Sequence, residues 1–165
     1  MLSLIKRRRS IRKFAQRGVD DELINQIIEA GIAAPSGKNN QPWKFVIVKK
    51  TGFKEMIAKH THYSQIIRDA PVLIAVFLDS SLSYDRTKDV QAIGACIQNI
   101  LLAICALGLG GVWLGEILRN KEAVHAILET PNHLELMAVV ALGHPAEDGE
   151  KKEKLALDQV VISRR

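Results

Sequence analysis

The stretch AIGACIQNILLAICALGLGGVWLG, residues 92–115, decides what kind of protein this is. Its only polar side chains are Gln98 and Asn99, and it is long enough to cross a bilayer. Three features argue for a water-soluble fold instead. Asp89 and Gln91 stand just before it, its two amides sit at the middle, and GLGG breaks its end. A helix apolar all round, flanked in this way, belongs in a core or an interface. The pattern predicts a long helix over about 89–108, then a loop or short strand at GGVWLGEI.

Working outward, VDDELINQIIEAGIAA at 19–34 reads as an amphipathic helix. Asp20 is its N-cap, Asp21 and Glu22 suit the positive end of the dipole, and Val19 staples onto Ile24. Leu23, Ile24, Ile27, Ile28 and Gly31 form the buried stripe, and Pro35 ends the helix. The polar loop PSGKNNQP leads to a strand at WKFVIVKK, and GFKEMIAKH suggests a short helix. VLIAVFLD after Pro71 is a continuous apolar run, hence a strand covered on both faces. Asn120 caps a second short helix, KEAVHAILE, and LELMAVVALG is another buried strand. The tail is polar and ends in a strand-like tip. No repeat or low-complexity tract interrupts this order, so one mixed α and β domain over 1–165 is expected.

Composition supports that frame. The chain has 165 residues, 47% hydrophobic and 25% charged, a globular balance able to bury a core. Only Leu2, Leu4 and Ile5 are apolar before the N-terminal charges begin, so no signal peptide is expected. Cys96 and Cys105 lie nine residues apart in the long helix, half a turn out of phase and roughly 13 Å apart along its axis. They cannot form a disulfide, and no metal-ligand spacing occurs. A reducing cytoplasm and no metal site are the expectations.

The net charge of +5 is concentrated at the two ends. RRRSIRK at 7–13 is the densest run, and alone it would suggest a solvated face or a nucleic-acid arm. Ile11 and Phe14 interleave with the charges, however, so part of the run packs on a core and pins Arg8, Arg9, Ser10 and Arg12. An arginine fork matches phosphate, and a serine hydroxyl adds a neutral partner. Aromatics, at 5%, are too few for a single-strand stacking platform. PSGKNNQPW offers Ser36, Gly37, Asn39 and Gln41 between two prolines, either as a binding loop or as an ordinary connection. GLGGVWLGE lacks the third glycine of a dinucleotide fingerprint, because position 113 is Trp, and it follows a helix rather than a strand. It reads as a glycine-rich turn that lets backbone N–H groups approach a flat ligand.

RRSIRKF, the helix ending in APSGKNNQPW, the D-x₈-QN-x-LLA-x₃-LGLG helix, WLGE, and LGHPAE with its lysine-bearing tail occur in order over nearly the whole chain. Together they resemble the flavin-dependent nitroreductases. The resemblance implies an α+β fold, a central mixed and mainly antiparallel sheet flanked by helices, with the long apolar helix at a dimer interface. It implies a homodimer with FMN at the subunit interface and NADH or NADPH as reductant. Arg8, Arg9, Ser10 and Arg12 would grip the phosphate, ribityl chain and pyrimidine edge, joined on the phosphate by Lys152 and Lys154. Pro35, Ser36, Gly37 and Asn39 would reach the flavin from the partner subunit. Leu114, Gly115 and Glu116 would lie along the ring, with a backbone N–H near Gly115 at N5. No side chain is expected to be catalytic, since the cofactor carries the chemistry.

The implied activity is hydride transfer from NAD(P)H to flavin N5, then ping-pong reduction of a nitroaromatic, quinone or similar small acceptor. Same-fold alternatives are reductive dehalogenation and flavin fragmentation. A basic nucleic-acid module is the alternative from another class. His60, His62, His125, His133 and His144 are expected to be surface or structural. The chain also departs from the family pattern. It has no room for the extra helices that often lid the pocket, and its tail pair is Lys/Lys where an Arg is common. In HTHYSQI at 60–66 no residue aligns with the usual pyrimidine contact, for which Tyr63 or Gln65 are stand-ins. Arg7 receives no role.

Overall fold

A computed structural model describes residues 1–165. Seven helices and four strands follow one another along the chain. They are α1 (Leu2–Arg7), α2 (Asp21–Ile32), β1 (Trp43–Val48), α3 (Thr51–Ala58), α4 (Ser64–Asp69), β2 (Val72–Asp79), α5 (Arg86–Ala106), β3 (Gly110–Leu114), α6 (Lys121–Ile127), β4 (Leu134–Gly143) and α7 (Leu157–Val160). The strands form one sheet in the order β1-β2-β4-β3, and every strand pair is antiparallel. The parallel element is a single bridge between Ser10 and Gly111, outside the named strands. The fold is α+β.

The apolar run Val72–Leu78 is continuous because both faces of β2 are covered. Val72, Ile74, Val76 and Leu78 pack with Ile24 and Ile27 of α2 and with Ile93, Ile97, Ile100 and Ile104 of α5. Leu73, Ala75 and Phe77 face the opposite layer, where Ile57, Ile66, Ile67 and Val124 come from α3, α4 and α6. A side chain of this size contributes about 1.5–3 kcal/mol when fully buried, so these two layers supply most of the driving force. The register shift at Val76/Phe77 places one extra residue, Met137, in β4, so that Ala138 faces the α2–α5 layer while Leu136 faces the opposite one.

The helix α5 is 21 residues long and apolar enough to cross a membrane by length and composition. Its apolar positions are used inside the protein instead: Ala92, Ile93, Cys96, Ile97, Ile100, Leu101 and Ile104 are buried. Its true start lies three residues before the expected one, because Asp85 caps it by accepting a hydrogen bond from the Lys88 N–H at 3.1 Å. Gly108, at φ +73°, turns the chain out of the helix. The following glycines then belong to a strand, not to a turn. A Cβ on Gly110 would meet Ile11 side-chain atoms at 2.7 Å, so this glycine makes room for the N-terminal segment.

Three local expectations change. Asp20 holds the N-cap position of α2, but its side chain makes no capping bond. Asn120 precedes α6, yet its amide donates to the His60 carbonyl at 2.8 Å rather than capping. The strand-like tip at the C-terminus is the short helix α7, since no strand lies beside it to pair with. Gln159 Oε1 accepts from the Ala156 N–H at 2.9 Å and closes the turn.

Candidate functional site

The basic run is held in place by backbone pairing. Ile11 N–H donates to the Gly111 carbonyl at 3.1 Å, Ala15 N–H to His144 at 2.9 Å, and Ala146 N–H to Lys13 at 3.0 Å. Ile11 and Phe14 are buried, as their interleaving with the charges requires. Arg12 N–H donates to Glu147 Oε1 at 3.2 Å, which draws the chain after β4 toward the run. Ser10 therefore sits beside β3, and the C-terminal segment closes over it.

The result is a cavity of about 200 Å³ lined by Arg8, Arg9, Ser10, Arg12, Glu150, Lys152 and Lys154, with no apolar side chain among them. Six of these seven were expected from the sequence, on two segments about 140 positions apart. Glu150 was not, because a single carboxylate in a tail rich in Glu and Lys carries no signal. Arg9 Nη1 donates to the carbonyls of Lys6, Arg7 and Arg8 at 2.6, 3.1 and 3.0 Å, so it also closes the end of α1. Arg7 lies outside the cavity, and its structural part is to offer that carbonyl. Five cations face one carboxylate, and no ion pair joins any of the lining residues to another. Such a donor set fits a phosphate group, which carries about two negative charges and accepts charge-assisted bonds from fork and ammonium alike.

The loop between α2 and β1 is a second, separate element. Lys38, Asn39 and Gln41 have φ of +53°, +55° and +45°, left-handed positions in non-glycine residues that cost about 1–3 kcal/mol each. Ser36 Oγ accepts from the Gln41 N–H at 3.0 Å. Gly37 lies against the Tyr84 hydroxyl, where any Cβ would collide, and Lys38 Nζ stands 4.8 Å from the Tyr84 ring centre. Pro35, Ser36 and Gly37, with Tyr84, Lys88, Gln91, Ala92 and Ala95, line a cavity of about 310 Å³. It shares no lining residue with the cationic one. Asn39 belongs to the loop but lines neither cavity.

The third element follows β3. Leu114 is 1% exposed and its side chain belongs to the core, so only its backbone is available to a ligand. Gly115 leaves the strand at φ −89°, with the Trp113 indole Nε1 3.7 Å from where its Cβ would stand. Glu116 turns its carboxylate onto the segment 60–62: Oε2 accepts from Thr61 Oγ1 at 2.7 Å and from the His62 N–H at 3.3 Å. The Thr61 bond is the main reason its carboxyl lies below the ordinary range, opposed by partial desolvation and assisted by the His62 N–H and the charges of His62 and Arg119. His62 Nε2 is 3.7 Å from Glu116 Oε1. Thr61 and His62 are thus the side chains that HTHYSQI brings to Glu116, whereas Gln65 is occupied by Asp69 at 2.7 Å.

The Nitroreductase family profile matches residues 5–63 and 50–144. A "Putative NADH dehydrogenase/NAD(P)H nitroreductase" of Methanothermobacter thermautotrophicus is 36% identical over 166 residues, covering 99% of this chain and 87% of that protein. Among solved structures, a putative nitroreductase in complex with FMN from Desulfovibrio desulfuricans superposes with a TM-score of 0.95 at 42% identity, over 99% of this chain and 96% of that one. The NADPH:FMN oxidoreductase of Vibrio harveyi complexed with NAD+ gives a TM-score of 0.90 at 26% identity, over 99% and 76% of the two chains. Sequence and fold agree, and the chain belongs to the nitroreductase family.

Proposed function

We propose that this chain, as one domain over 1–165, is an FMN-dependent NAD(P)H oxidoreductase that works as a homodimer. The observation that carries the cofactor is the cationic cavity of Arg8, Arg9, Ser10, Arg12, Lys152 and Lys154, whose donor set fits a phosphate. A relative crystallised with FMN supports the choice, and one complexed with NAD+ supports the reductant. FMN, when bound, supplies hydride transfer between a nicotinamide and an electron-poor acceptor such as a nitroaromatic or quinone, which take turns at one face.

The chain's own residues bind and orient. The five cations hold the phosphate, each charge-assisted bond worth about 1.5–3 kcal/mol. A backbone N–H near Gly115 favours electron density on the ring's reactive edge at N5, as a fixed dipole does. Glu116 keeps the segment 60–62 against that edge. Pro35, Ser36, Gly37 and Asn39 form the wall given by the second copy, which accounts for their distance from the cationic cavity.

A second copy also accounts for the surface left uncovered. Leu155, Leu157, Val160 and Ile162 of the tail are all more than half exposed, as are Met1 and Leu2 of the N-terminal segment. On α5, Val90, Gln98 and Ala106 are exposed on the face turned from the core. The cytoplasm suits two free thiols, of which Cys96 is buried and pushed up to about 12.

The visible spectrum of the purified protein tests the cofactor directly. A yellow protein releasing FMN on denaturation is expected, and a colourless one that takes up no added FMN overturns the proposal. NAD(P)H consumption should follow with quinone or nitroaromatic acceptors. Inactivity with all of them in a flavin-loaded protein would favour dehalogenation or flavin fragmentation. Retention of oligonucleotide unaffected by FMN would favour a nucleic-acid module.

A further inference from the structure

Asp89 is a fully buried carboxylate without a cationic partner. Four donors converge on it from two segments, Asn40 and the stretch 83–85. Asn40 Nδ2 donates to Oδ1 at 2.7 Å; Ser83 Oγ, the Tyr84 N–H and the Asp85 N–H donate to Oδ2 at 2.6, 3.2 and 3.4 Å. It lies in the first turn of α5, where the helix dipole also favours negative charge. Burial pushes its carboxyl up, but the bonds from Ser83, Asn40, Asp85 and Tyr84 outweigh that and hold it below the ordinary value. Every group facing it is a donor, so only a carboxylate satisfies the arrangement with both oxygens.

Asn40 shows what the carboxylate is holding. Its Nδ2 also donates to the Leu82 carbonyl at 3.1 Å, so both of its partners are acceptors and the amide can face only one way. Its Oδ1 is buried without a partner, a cost accepted to keep that orientation. Asn40, itself right-handed at φ −73°, lies between the left-handed residues Asn39 and Gln41 of the 35–41 loop. A strained segment persists only where its surroundings over-determine it. Here the surroundings are Asp89, the Leu82 carbonyl, Ser36 Oγ and the Tyr84 ring.

We propose that Asp89, acting through Asn40, is a positioning residue that holds the 35–41 loop in the form that meets the flavin bound in the second copy's cationic cavity. This rests on the FMN and homodimer proposal. Asp89 touches neither cofactor nor substrate.

The test uses apo-protein titrated with FMN and with riboflavin, followed by flavin fluorescence. Asp89→Asn should weaken both ligands by about tenfold or more, the effect of losing a hydrogen bond to a charged group, because the loop meets the ring and not the phosphate. Arg12→Ala should weaken FMN alone. Asn40→Ala removes the same tie from the loop side, where Asn40 is only half-buried and Asp89 keeps its three other donors, and should reproduce the effect if Asp89→Asn does not fold. Binding within about twofold of wild type in a folded Asp89→Asn or Asn40→Ala protein overturns the proposal. Wild-type protein that binds no flavin overturns the cofactor assignment instead.

Mixed dimers separate positioning across the interface from a general loss of stability. A dimer of one Arg12→Ala chain and one Asp89→Asn chain has one site with both lesions and one site with neither. It should bind one FMN per dimer with wild-type affinity, at concentrations where neither parent dimer is loaded. Two weakened sites and no tight one would place the loop in its own chain's site and overturn the proposal as stated.

Discussion

Thr61 donates its hydroxyl to Glu116 across 2.7 Å, joining the segment between α3 and α4 to the residues just after β3. His62 adds a backbone N–H to the same oxygen, and Asn120 reaches back to the His60 carbonyl. Two side chains from one turn thus hold three consecutive residues, in the region where the family pattern could not be matched to this sequence.

That latch has a pH dependence with a definite sign. The Glu116 carboxyl is lowered from its ordinary value of 4.5 in the folded protein, chiefly by the Thr61 bond. Its contribution to stability is present above that value and is lost as pH falls through the lowered folded value. Glu116→Gln should therefore lower the urea midpoint at pH 7, and the gap to wild type should shrink by pH 3. An equal gap at both pH values would show that the carboxylate charge plays no part.

Gly37→Ala tests how tightly the α2–β1 loop is seated. The added Cβ collides with the Tyr84 hydroxyl, so the loop or the ring must move. FMN affinity should fall severalfold with little change in the melting temperature. Tyr84→Ala in the same chain should recover part of the loss. No recovery would mean that contact with the ring is not what seats the loop.

Lys152→Ala with Lys154→Ala addresses the phosphate alone. Removing two charge-assisted partners should weaken FMN by about 100-fold or more while riboflavin binding stays near wild type. Isothermal titration with the two ligands gives the comparison. Equal losses for both would move the lysines away from the phosphate.

Lys54 should be a stability determinant far from any ligand. It is buried, and its ammonium donates to the Ala70 carbonyl at 2.8 Å and the Arg68 carbonyl at 3.2 Å, closing the end of α4. Lys54→Met keeps the packing of the stem and orphans both carbonyls. Urea denaturation should show a loss of about 1–3 kcal/mol. An unchanged or raised midpoint would mean that the desolvation of the ammonium, which lowers its pKa, already cancels the bonds.

Truncation after Lys154 should weaken the proposed homodimer, because it removes Leu155, Leu157, Val160 and Ile162, which find no cover in their own chain. Sedimentation velocity should show monomer at micromolar concentration. A dimer as tight as wild type would place the interface elsewhere.

Periodicity and local chemistry determined a good deal by themselves. The alternation of faces in α2, the unbroken apolar run of β2 and the length of α5 follow from which side chains can be buried and at what spacing. The cationic residues around Ser10 were legible because arginine, lysine and serine have few other uses when an apolar residue pins them to a core. The reach of each segment was not legible, since no local rule says where a chain goes after it turns. The family resemblance joins Lys152 and Lys154 to Arg8 and Arg12, but only the tertiary structure shows how, through the pairing of Ala15 with His144 and of Ala146 with Lys13. Only it makes Gly110 a place for Ile11 and turns Glu116 toward Thr61. Only it sets Asp89, one acid in an ordinary first helical turn, at the meeting point of two loops' donors. Hydrophobic spacing is a property of neighbours in sequence, whereas hydrogen-bond satisfaction of a buried charge is settled by whatever the completed fold places around it.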